Sequence, residues 1–167
     1  MKLRHSHLGL CVTDIEAALR FYRNGLGFEL VNQIAVDGHE ELFELRDVKF
    51  VAFYLVNGPH TLELFQFESP NQKPHPGVRS LNQPGFTHLS FEVDDIDEVR
   101  RRIIEYGGTA RDSTRTAMRF GSATFDEDCV DELTALMCTD PDGNRIELVK
   151  TVGAPRGRLG DKLCWEP

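Results

Sequence analysis

Histidine and glutamate, two residue types that bind metals, recur in the same order in the two halves of this chain. His7 opens the run His7-Leu8-Gly9-Leu10, and His88 opens the similar run His88-Leu89-Ser90-Phe91. Glu63 lies in Thr61-Leu62-Glu63-Leu64, and Glu147 lies in Arg145-Ile146-Glu147-Leu148. A repeated unit that supplies one histidine and one glutamate predicts a single metal site built from two halves.

The alternation of side chains along a strand indicates that the four residues face away from the aliphatic side of their sheets. Leu62 and Leu64 flank Glu63, and Ile146 and Leu148 flank Glu147. Taken alone, each candidate is more typical of a hydrogen-bonded strand histidine or a solvent-facing glutamate. The repetition of residue type, order and alternation in both halves favours a shared metal site.

Such a set of donors has a defined chemistry. Two imidazoles and two carboxylates suit a divalent ion such as Ni²⁺, Co²⁺, Zn²⁺, Fe²⁺ or Mn²⁺, and they leave coordination positions for water or substrate oxygens. A metal there can polarise a carbonyl and stabilise an enediolate, which assists removal of the neighbouring proton. Glu63 or Glu147, released from the metal, would then serve as the base.

The segments around these residues predict an α+β protein with one helix and several strands in each half. Thr13 and Glu16 form a capping box that predicts the start of the first helix, and Asn24-Gly25 predicts its end. Asp94 opens the second helix and Gly107-Gly108 ends it. Strands are predicted at residues 8–12, 28–36, 41–45, 48–56 and 61–67 in the first half, and at 86–93, 109–114, 132–139 and 144–151 in the second.

The predicted organisation is two modules joined by a short connection. Residues 1–67 form the first module, residues 68–85 a proline-rich linker, residues 86–151 the second module and residues 152–167 a C-terminal tail. The stretch 115–131 has no clean period and is either an irregular strand or a loop over the site.

Composition narrows the class of protein. The net charge of −8 argues against a nucleic-acid partner. Four cysteines without CxxC spacing predict reduced thiols and a cytoplasmic location. No apolar run is long enough for a signal peptide or a bilayer span, so we expect neither export nor membrane insertion.

Several runs resemble the vicinal oxygen chelate superfamily, which includes glyoxalase I, methylmalonyl-CoA epimerase, extradiol dioxygenases and the bleomycin or fosfomycin resistance proteins. The runs are His7-Leu8-Gly9-Leu10, Phe21-Tyr22-Arg23-Asn24-Gly25-Leu26-Gly27-Phe28, Thr61-Leu62-Glu63-Leu64, Gly85-Phe86-Thr87-His88-Leu89 and the nine residues from Asp140 to Leu148. The resemblance implies paired βαβββ modules that form a curved mixed sheet around a metal site, and a homodimer. By the match to bacterial glyoxalase I, it implies His7, Glu63, His88 and Glu147 as the metal ligands.

Together these features predict a metal-dependent lyase or isomerase that acts on a small molecule by proton abstraction next to a carbonyl, through a metal-bound enolate. Two departures from glyoxalase I argue against a glutathione substrate. The family's glutathione-contacting arginine falls at Cys11, and its asparagine after the first glutamate ligand falls near Phe67. Epimerisation would need a second base, which Glu41 or Glu44 would supply.

Two alternatives stay open. An Fe²⁺ extradiol dioxygenase would use only His7, His88 and Glu147, and Glu63 would fill a position that a ring-cleaving enzyme leaves free. A non-catalytic small-molecule binding protein of the resistance type lacks the ligand set that this chain has. Glu63 therefore favours the glyoxalase and epimerase branch. The site would close either within one chain or across a dimer.

Overall fold

The first half of the chain forms a four-stranded sheet with a helix on one face. The computed structural model describes residues 2–73, 77, 80–120 and 131–152. Strand β1, Leu8–Cys11, is followed by helix α1, Ile15–Leu19, which continues as a π-helical segment, Arg20–Gly25. The remaining elements are β2 (Glu29–Asp37), the one-turn helix α2 (Glu40–Phe43), β3 (Lys49–Asn57) and β4 (His60–Ser69).

The second half repeats this order. Strand β5, Leu89–Glu92, leads into helix α3, Ile96–Glu105. The later elements are β6 (Thr109–Ala110), a 3₁₀ turn (Asp112–Thr114), β7 (Thr116–Phe120), β8 (Asp131–Thr139) and β9 (Arg145–Val152). The predicted α+β class with one crossover helix in each half is confirmed.

The strands lie in two separate mixed sheets, where the sequence predicted one curved sheet. The first sheet has the order β1-β4-β3-β2, and the second has the order β5-β9-β8-β6, with β7 also pairing with β8. β1 runs parallel to β4 and β5 runs parallel to β9, whereas the other pairs are antiparallel. Thus β1 and β5, which directly follow the two histidines, occupy equivalent sheet edges.

One hydrophobic core joins the helix-side faces of both sheets. Its buried members include Val12, Leu19, Phe21, Tyr22, Leu55, Leu62 and Leu64 from the first half and Ile96, Ile103, Leu136, Cys138, Ile146 and Leu148 from the second. Burying one such aliphatic side chain stabilises the fold by about 1.5–3 kcal/mol. Because alternate residues of a strand face opposite ways, the glutamate-bearing face of each sheet lies on the far side from this core.

Polar contacts also tie the halves together. The Tyr22 hydroxyl donates a buried hydrogen bond of 2.8 Å to Asp140 Oδ2. Desolvation raises the pKa of the Asp140 carboxyl, although it also accepts hydrogen bonds from Asn144. Arg102 Nε donates to the carbonyl oxygen of Gly25 at 2.7 Å, and so satisfies a backbone acceptor at the end of the first helical segment.

Gly108 lies at a crowded point where Phe21 of the first half meets two residues of the second. A Cβ atom at this position would overlap the backbone oxygen of Thr139 and come within 2.7 Å of Phe21 Cε2 and 2.8 Å of Ile103 Cγ2. No side chain fits there without displacing backbone or core atoms. The two modules are therefore packed in direct contact.

Both helices begin one residue later than the sequence predicted. Asp14, in place of Thr13, caps α1 and accepts a backbone N–H three residues further on. The Thr13 hydroxyl instead donates to Asp142 of the other half, at 2.5 Å. Asp95, in place of Asp94, caps α3 and accepts two backbone N–H groups. The helix ends agree with the prediction near Gly25 and before Gly107.

The strand predicted at residues 41–45 is wrong. Residues 40–43 form one helical turn between two left-handed residues, His39 with φ 66° and Glu44 with φ 54°. The Phe43 ring packs edge-on against Phe50, with the ring centroids 5.1 Å apart. This contact packs the turn against β3, and the alternation of residues 41–45 does not indicate it.

Other predictions are met in part. The predicted strand 109–114 is shorter, since β6 ends at Ala110 and a 3₁₀ turn follows. The stretch 115–131 contains β7, while residues 121–130 lie outside the described part of the chain. Parts of the predicted linker, 74–76 and 78–79, and residues 153–167 of the predicted tail also lie outside it.

Among the described helices, none has the length and apolar character needed to cross a membrane.

Candidate metal centre

The first histidine and the first glutamate meet on the far side of the first sheet from the core. His7 Nε2 lies 3.2 Å from Glu63 Oε2. His7 directly precedes edge strand β1, and Gly9 of that strand is the register partner of Glu63 on β4. Because the histidine directly precedes the parallel edge strand, its ring lies beside the carboxylate of the neighbouring strand.

The second half builds the same pair with the same topology. His88 Nε2 lies 3.3 Å from Glu147 Oε2. His88 precedes edge strand β5, and Ser90 is the register partner of Glu147 on β9. The internal repeat in the sequence is thus a repeat in three dimensions.

Each histidine ring also has a hydroxyl neighbour. His7 Nδ1 lies 3.0 Å from Ser6 Oγ, and His88 Nδ1 lies 3.0 Å from Thr87 Oγ1. A polar partner on one ring nitrogen orients the ring and directs the other nitrogen toward its ligand. In both halves Nε2 therefore faces the glutamate.

The geometry of each pair fits half of a divalent metal site. Adjacent ligands at about 2.1 Å from one ion, at right angles, are about 3.0 Å apart, close to the separations in both pairs. The glutamate side chains are largely buried, with exposed fractions of 16% for Glu63 and 18% for Glu147. An imidazole nitrogen and a carboxylate oxygen are suitable donors for the predicted ions.

The four predicted ligands are brought together as two pairs. Across residues 2–73, 77, 80–120 and 131–152, no three histidine, cysteine, aspartate or glutamate side chains are grouped closely enough to hold one ion. Because both sheets pack their opposite faces on the shared core, each pair lies on its own outward face. One chain therefore presents two separate His–Glu pairs.

Sequence reasoning missed Tyr54, which contacts the first pair. Its hydroxyl donates to Glu63 Oε1 at 2.7 Å, and this hydrogen bond raises the pKa of Tyr54 to about 12. The β3–β4 hairpin is the signal that would have found it. Asn57 and His60 pair next to the turn, and Tyr54 and Glu63 each lie three residues further from it. Antiparallel residues at equal distance from a tight turn face each other.

The second pair has a different neighbour. Met137 occupies the position opposite Glu147, where the thioether offers no hydrogen-bond donor. Ser90 supplies one instead, since its hydroxyl donates to Glu147 Oε2 at 2.8 Å. That is the same carboxylate oxygen that faces His88.

Four phenylalanines line the glutamate-bearing face of the first sheet. We call Phe43, Phe50, Phe65 and Phe67 the aromatic face. Phe50 lies 5.8 Å from Phe65 and 5.1 Å from Phe67, measured between ring centroids. Phe65 and Glu63 also approach the same point, since a Cβ atom on Gly9 would lie 3.3 Å from the Phe65 ring and 3.7 Å from Glu63 Oε2.

Two further sequence candidates lie near this face. Cys11, at the end of β1, pairs in register with Phe65, and burial raises the pKa of its thiol. The proposed second bases Glu41 and Glu44 lie in and directly after α2, with both side chains exposed.

Comparisons with known proteins agree with this architecture. The chain is 29% identical over 148 residues to the protein YaeR of Escherichia coli, covering 85% of this chain and 92% of the relative. It is 28% identical over 158 residues to a lactoylglutathione lyase of Salmonella typhimurium, covering 93% and 98%.

Solved structures show the same fold. A glyoxalase family protein from Bacillus cereus superposes with a TM-score of 0.70 at 20% identity, covering 92% of this chain and 97% of that one. A fosfomycin resistance protein from Listeria monocytogenes superposes with a TM-score of 0.52 at 18% identity, covering 98% of each chain.

The family comparison covers most of the sequence. The family model of the Glyoxalase/Bleomycin resistance protein/Dioxygenase superfamily matches residues 4–148, which include both His–Glu pairs and the shared core. The chain therefore belongs to the Glyoxalase/Bleomycin resistance protein/Dioxygenase superfamily.

Proposed function

We propose that this protein is a metal-dependent lyase or isomerase that moves a proton next to a carbonyl group of a small molecule. The observation that carries the proposal is the duplicated pair, in which His7 faces Glu63 and His88 faces Glu147 at nearly the same separation. The same pair on the glutamate-bearing face of both sheets is what two halves of one metal site require.

The proposed site is completed by a second copy of the chain. The two pairs of one chain lie on outward faces, and each histidine directly precedes a strand, β1 or β5, at a sheet edge. A two-fold pair of chains would set β1 of one copy beside β5 of the other and so create two four-ligand sites. Each site would take His7 and Glu63 from one copy and His88 and Glu147 from its partner.

Within such a site the residues have separate tasks. A divalent ion held by the four ligands would polarise the substrate carbonyl and ease removal of the adjacent proton. Glu63 and Glu147 are the candidates to accept that proton, since each is a largely buried carboxylate at the site. Ser6 and Thr87 would keep the two imidazoles oriented through their Nδ1 atoms.

The surroundings of the first half-site favour an apolar substituent on the substrate over glutathione. Phe65 and Phe67 follow Glu63 along the same face of β4, and Cys11 pairs with Phe65. Glutathione recognition needs charged or polar side chains that bind its carboxylates, whereas the aromatic face and Cys11 present aromatic rings and a neutral thiol. We therefore propose a 2-oxo compound or acyl thioester with an apolar or aromatic group as the substrate.

Metal analysis of the purified protein is the first test. We expect about one divalent ion per chain, a higher melting temperature on adding Ni²⁺ or Co²⁺, and loss of both effects after chelation. Glu63→Gln and Glu147→Gln should each weaken metal binding. A wild-type chain that neither contains nor is stabilised by any divalent metal would overturn the proposal.

A substrate screen then separates the reaction classes. CoA thioesters, glutathione adducts, aryl 2-oxo compounds and catechols would be incubated with the metal-loaded protein, with proton exchange, product formation and oxygen uptake followed. Metal-dependent exchange of the proton next to the carbonyl supports the proposal. Oxygen uptake with catechols would instead assign a ring-cleaving dioxygenase, and ligand affinity unchanged in Glu147→Gln without turnover would assign a binding protein.

A further inference from the structure

Glu63 and Glu147 occupy equivalent positions in the repeat, but their carboxylates accept hydrogen bonds from different side chains. We propose that Tyr54 is a positioning residue that fixes Glu63 as a permanent metal ligand by holding the carboxylate oxygen that does not face His7. This inference rests on the proposed metal site. It assigns different roles to the two glutamates, which their shared motif does not indicate.

The two oxygens of Glu63 have different partners. Oε1 accepts the Tyr54 hydroxyl at 2.7 Å, whereas Oε2 lies 3.2 Å from His7 Nε2. A hydrogen bond to an ionised carboxylate is among the stronger ones. With Oε1 held by the phenol, Oε2 would stay available to the proposed metal ion. Rotation of the carboxylate away from the metal would break the bond to Tyr54.

Tyr54 also contacts the other member of the pair. Its ring meets the His7 imidazole edge-on, with centroids 5.6 Å apart and an interplanar angle of 89°. Tyr54 stands on β3 directly opposite Glu63 on β4, so adjacent strands carry the donor and the acceptor. One rigid side chain therefore restrains both the imidazole and the carboxylate.

The second half-site lacks this arrangement. Met137 stands opposite Glu147 in the equivalent place on β8, and it cannot donate a hydrogen bond. Ser90 donates to Oε2, the oxygen that faces His88, so its hydroxyl shares an oxygen with the proposed ion. Glu147 is therefore less restrained against leaving the metal than Glu63.

The test compares Co²⁺ binding to the wild type and to Tyr54→Phe, which keeps the ring and removes only the hydroxyl. We expect Tyr54→Phe to weaken Co²⁺ affinity about tenfold by calorimetric titration, as loss of an outer hydrogen-bond partner of a metal ligand typically does. The visible absorption bands of the bound Co²⁺ should shift as well, because the Glu63 carboxylate would be free to change its mode of binding.

Two further variants keep the inference falsifiable. Tyr22→Phe makes the same chemical change at the buried contact with Asp140, far from the pairs, and should lower thermal stability while leaving Co²⁺ affinity unchanged. In a Glu63→Gln background, Tyr54→Phe should cause no further loss of affinity.

The outcomes distinguish this inference from the proposed function. A wild type that does not bind Co²⁺ contradicts the metal site itself. A wild type that binds Co²⁺, together with a Tyr54→Phe variant of equal affinity and identical spectrum, contradicts the role of Tyr54 alone. Equal losses in Tyr54→Phe and Tyr22→Phe would assign the effect to general destabilisation and would also overturn the inference.

Discussion

The two His–Glu pairs have the same residue types and nearly the same separation, and they differ in what surrounds them. Glu63 is backed by Tyr54 and lies beside the aromatic face, whereas Glu147 is contacted by Ser90 and stands opposite Met137. The buried residues on the second face are smaller and aliphatic, namely Leu133, Ala135 and Val149. In the proposed metal site, the first half would hold its glutamate more firmly than the second.

The largest expected effect concerns whether both halves act in one site. Glu63→Gln and Glu147→Gln should each lower turnover by about a hundredfold or more, because each removes a charged ligand. If the site spans two chains, mixing the two variants after denaturation and refolding should restore about a quarter of wild-type activity. Half of the random dimers are mixed, and each mixed dimer has one intact site.

The control for this mixing experiment is each variant refolded alone, which should stay inactive. Recovery of activity only in the mixture would support a site shared between chains. A mixture as inactive as its components would place each site within one chain and would remove the proposed pairing of half-sites.

The next effect concerns the buried hydrogen bond between Tyr22 and Asp140, which links the two halves. Asp140→Asn should destabilise the fold by about 2 kcal/mol, because the buried Tyr22 hydroxyl and the Asn144 side-chain amide would face an N–H₂ group in place of the Oδ2 acceptor, while the amide oxygen still accepts the two backbone N–H groups. Asp142→Asn, at a partly exposed residue that accepts hydrogen bonds from Thr13, should cost less. Urea unfolding of both variants measures the difference.

Asp140 also predicts a pH dependence with a definite sign. Burial raises the pKa of its carboxyl above 3.8, so the folded protein binds this proton more tightly than the unfolded chain does. The part of the Asp140 contribution that depends on its protonation is therefore present below pH 3.8 and is lost as the pH rises through the folded pKa. The stability advantage of the wild type over Asp140→Asn should shrink over that interval, and an advantage that grows with pH would contradict the assignment.

A smaller effect is expected on the aromatic face, which distinguishes the first half from the second. Phe67→Ala should weaken binding of phenylpyruvate relative to pyruvate about tenfold, because an aromatic contact is lost. Phe67→Leu keeps apolar area and should give an intermediate loss. Co²⁺ affinity should stay unchanged in both variants, and equal losses for the two ligands would remove the aromatic face as a source of selectivity.

The smallest effect is expected at the second half-site. Ser90→Ala should change Co²⁺ affinity by about threefold or less, since the serine hydroxyl donates to the same Glu147 oxygen that would bind the ion. Calorimetry beside Tyr54→Phe measures the contrast. A loss for Ser90→Ala that matches or exceeds the loss for Tyr54→Phe would show that the two glutamates are held alike.

The repeated pairs were predictable because their signal is local and occurs twice. Strand alternation placed Leu62 and Leu64 in the core and Glu63 on the other face, as the burial of these residues confirms. The α+β class followed from one helical period among several alternating runs in each half. These features depend on residues only a few positions apart.

What the sequence did not predict depends on distant contacts. Thr13 has the residue type of a helix cap, yet its hydroxyl bonds to Asp142 in the other module, so Asp14 takes the capping position. Residues 41–45 alternate like a strand, but Phe43 packs on Phe50 and the chain turns between left-handed residues. The separation into two half-sites likewise results from a core that both modules share.

The close fit at Gly108 has a thermodynamic consequence for any assembly of this chain. Because the shared core and the close approach of Phe21 to Gly108 pack the modules directly against each other, the spacing between the two pairs of one chain is fixed when it folds. A symmetric association that completes one four-ligand site must therefore complete the other in the same step. Metal affinity and protein concentration would then be linked by mass action, so diluting the protein should release metal and removing metal should favour dissociation.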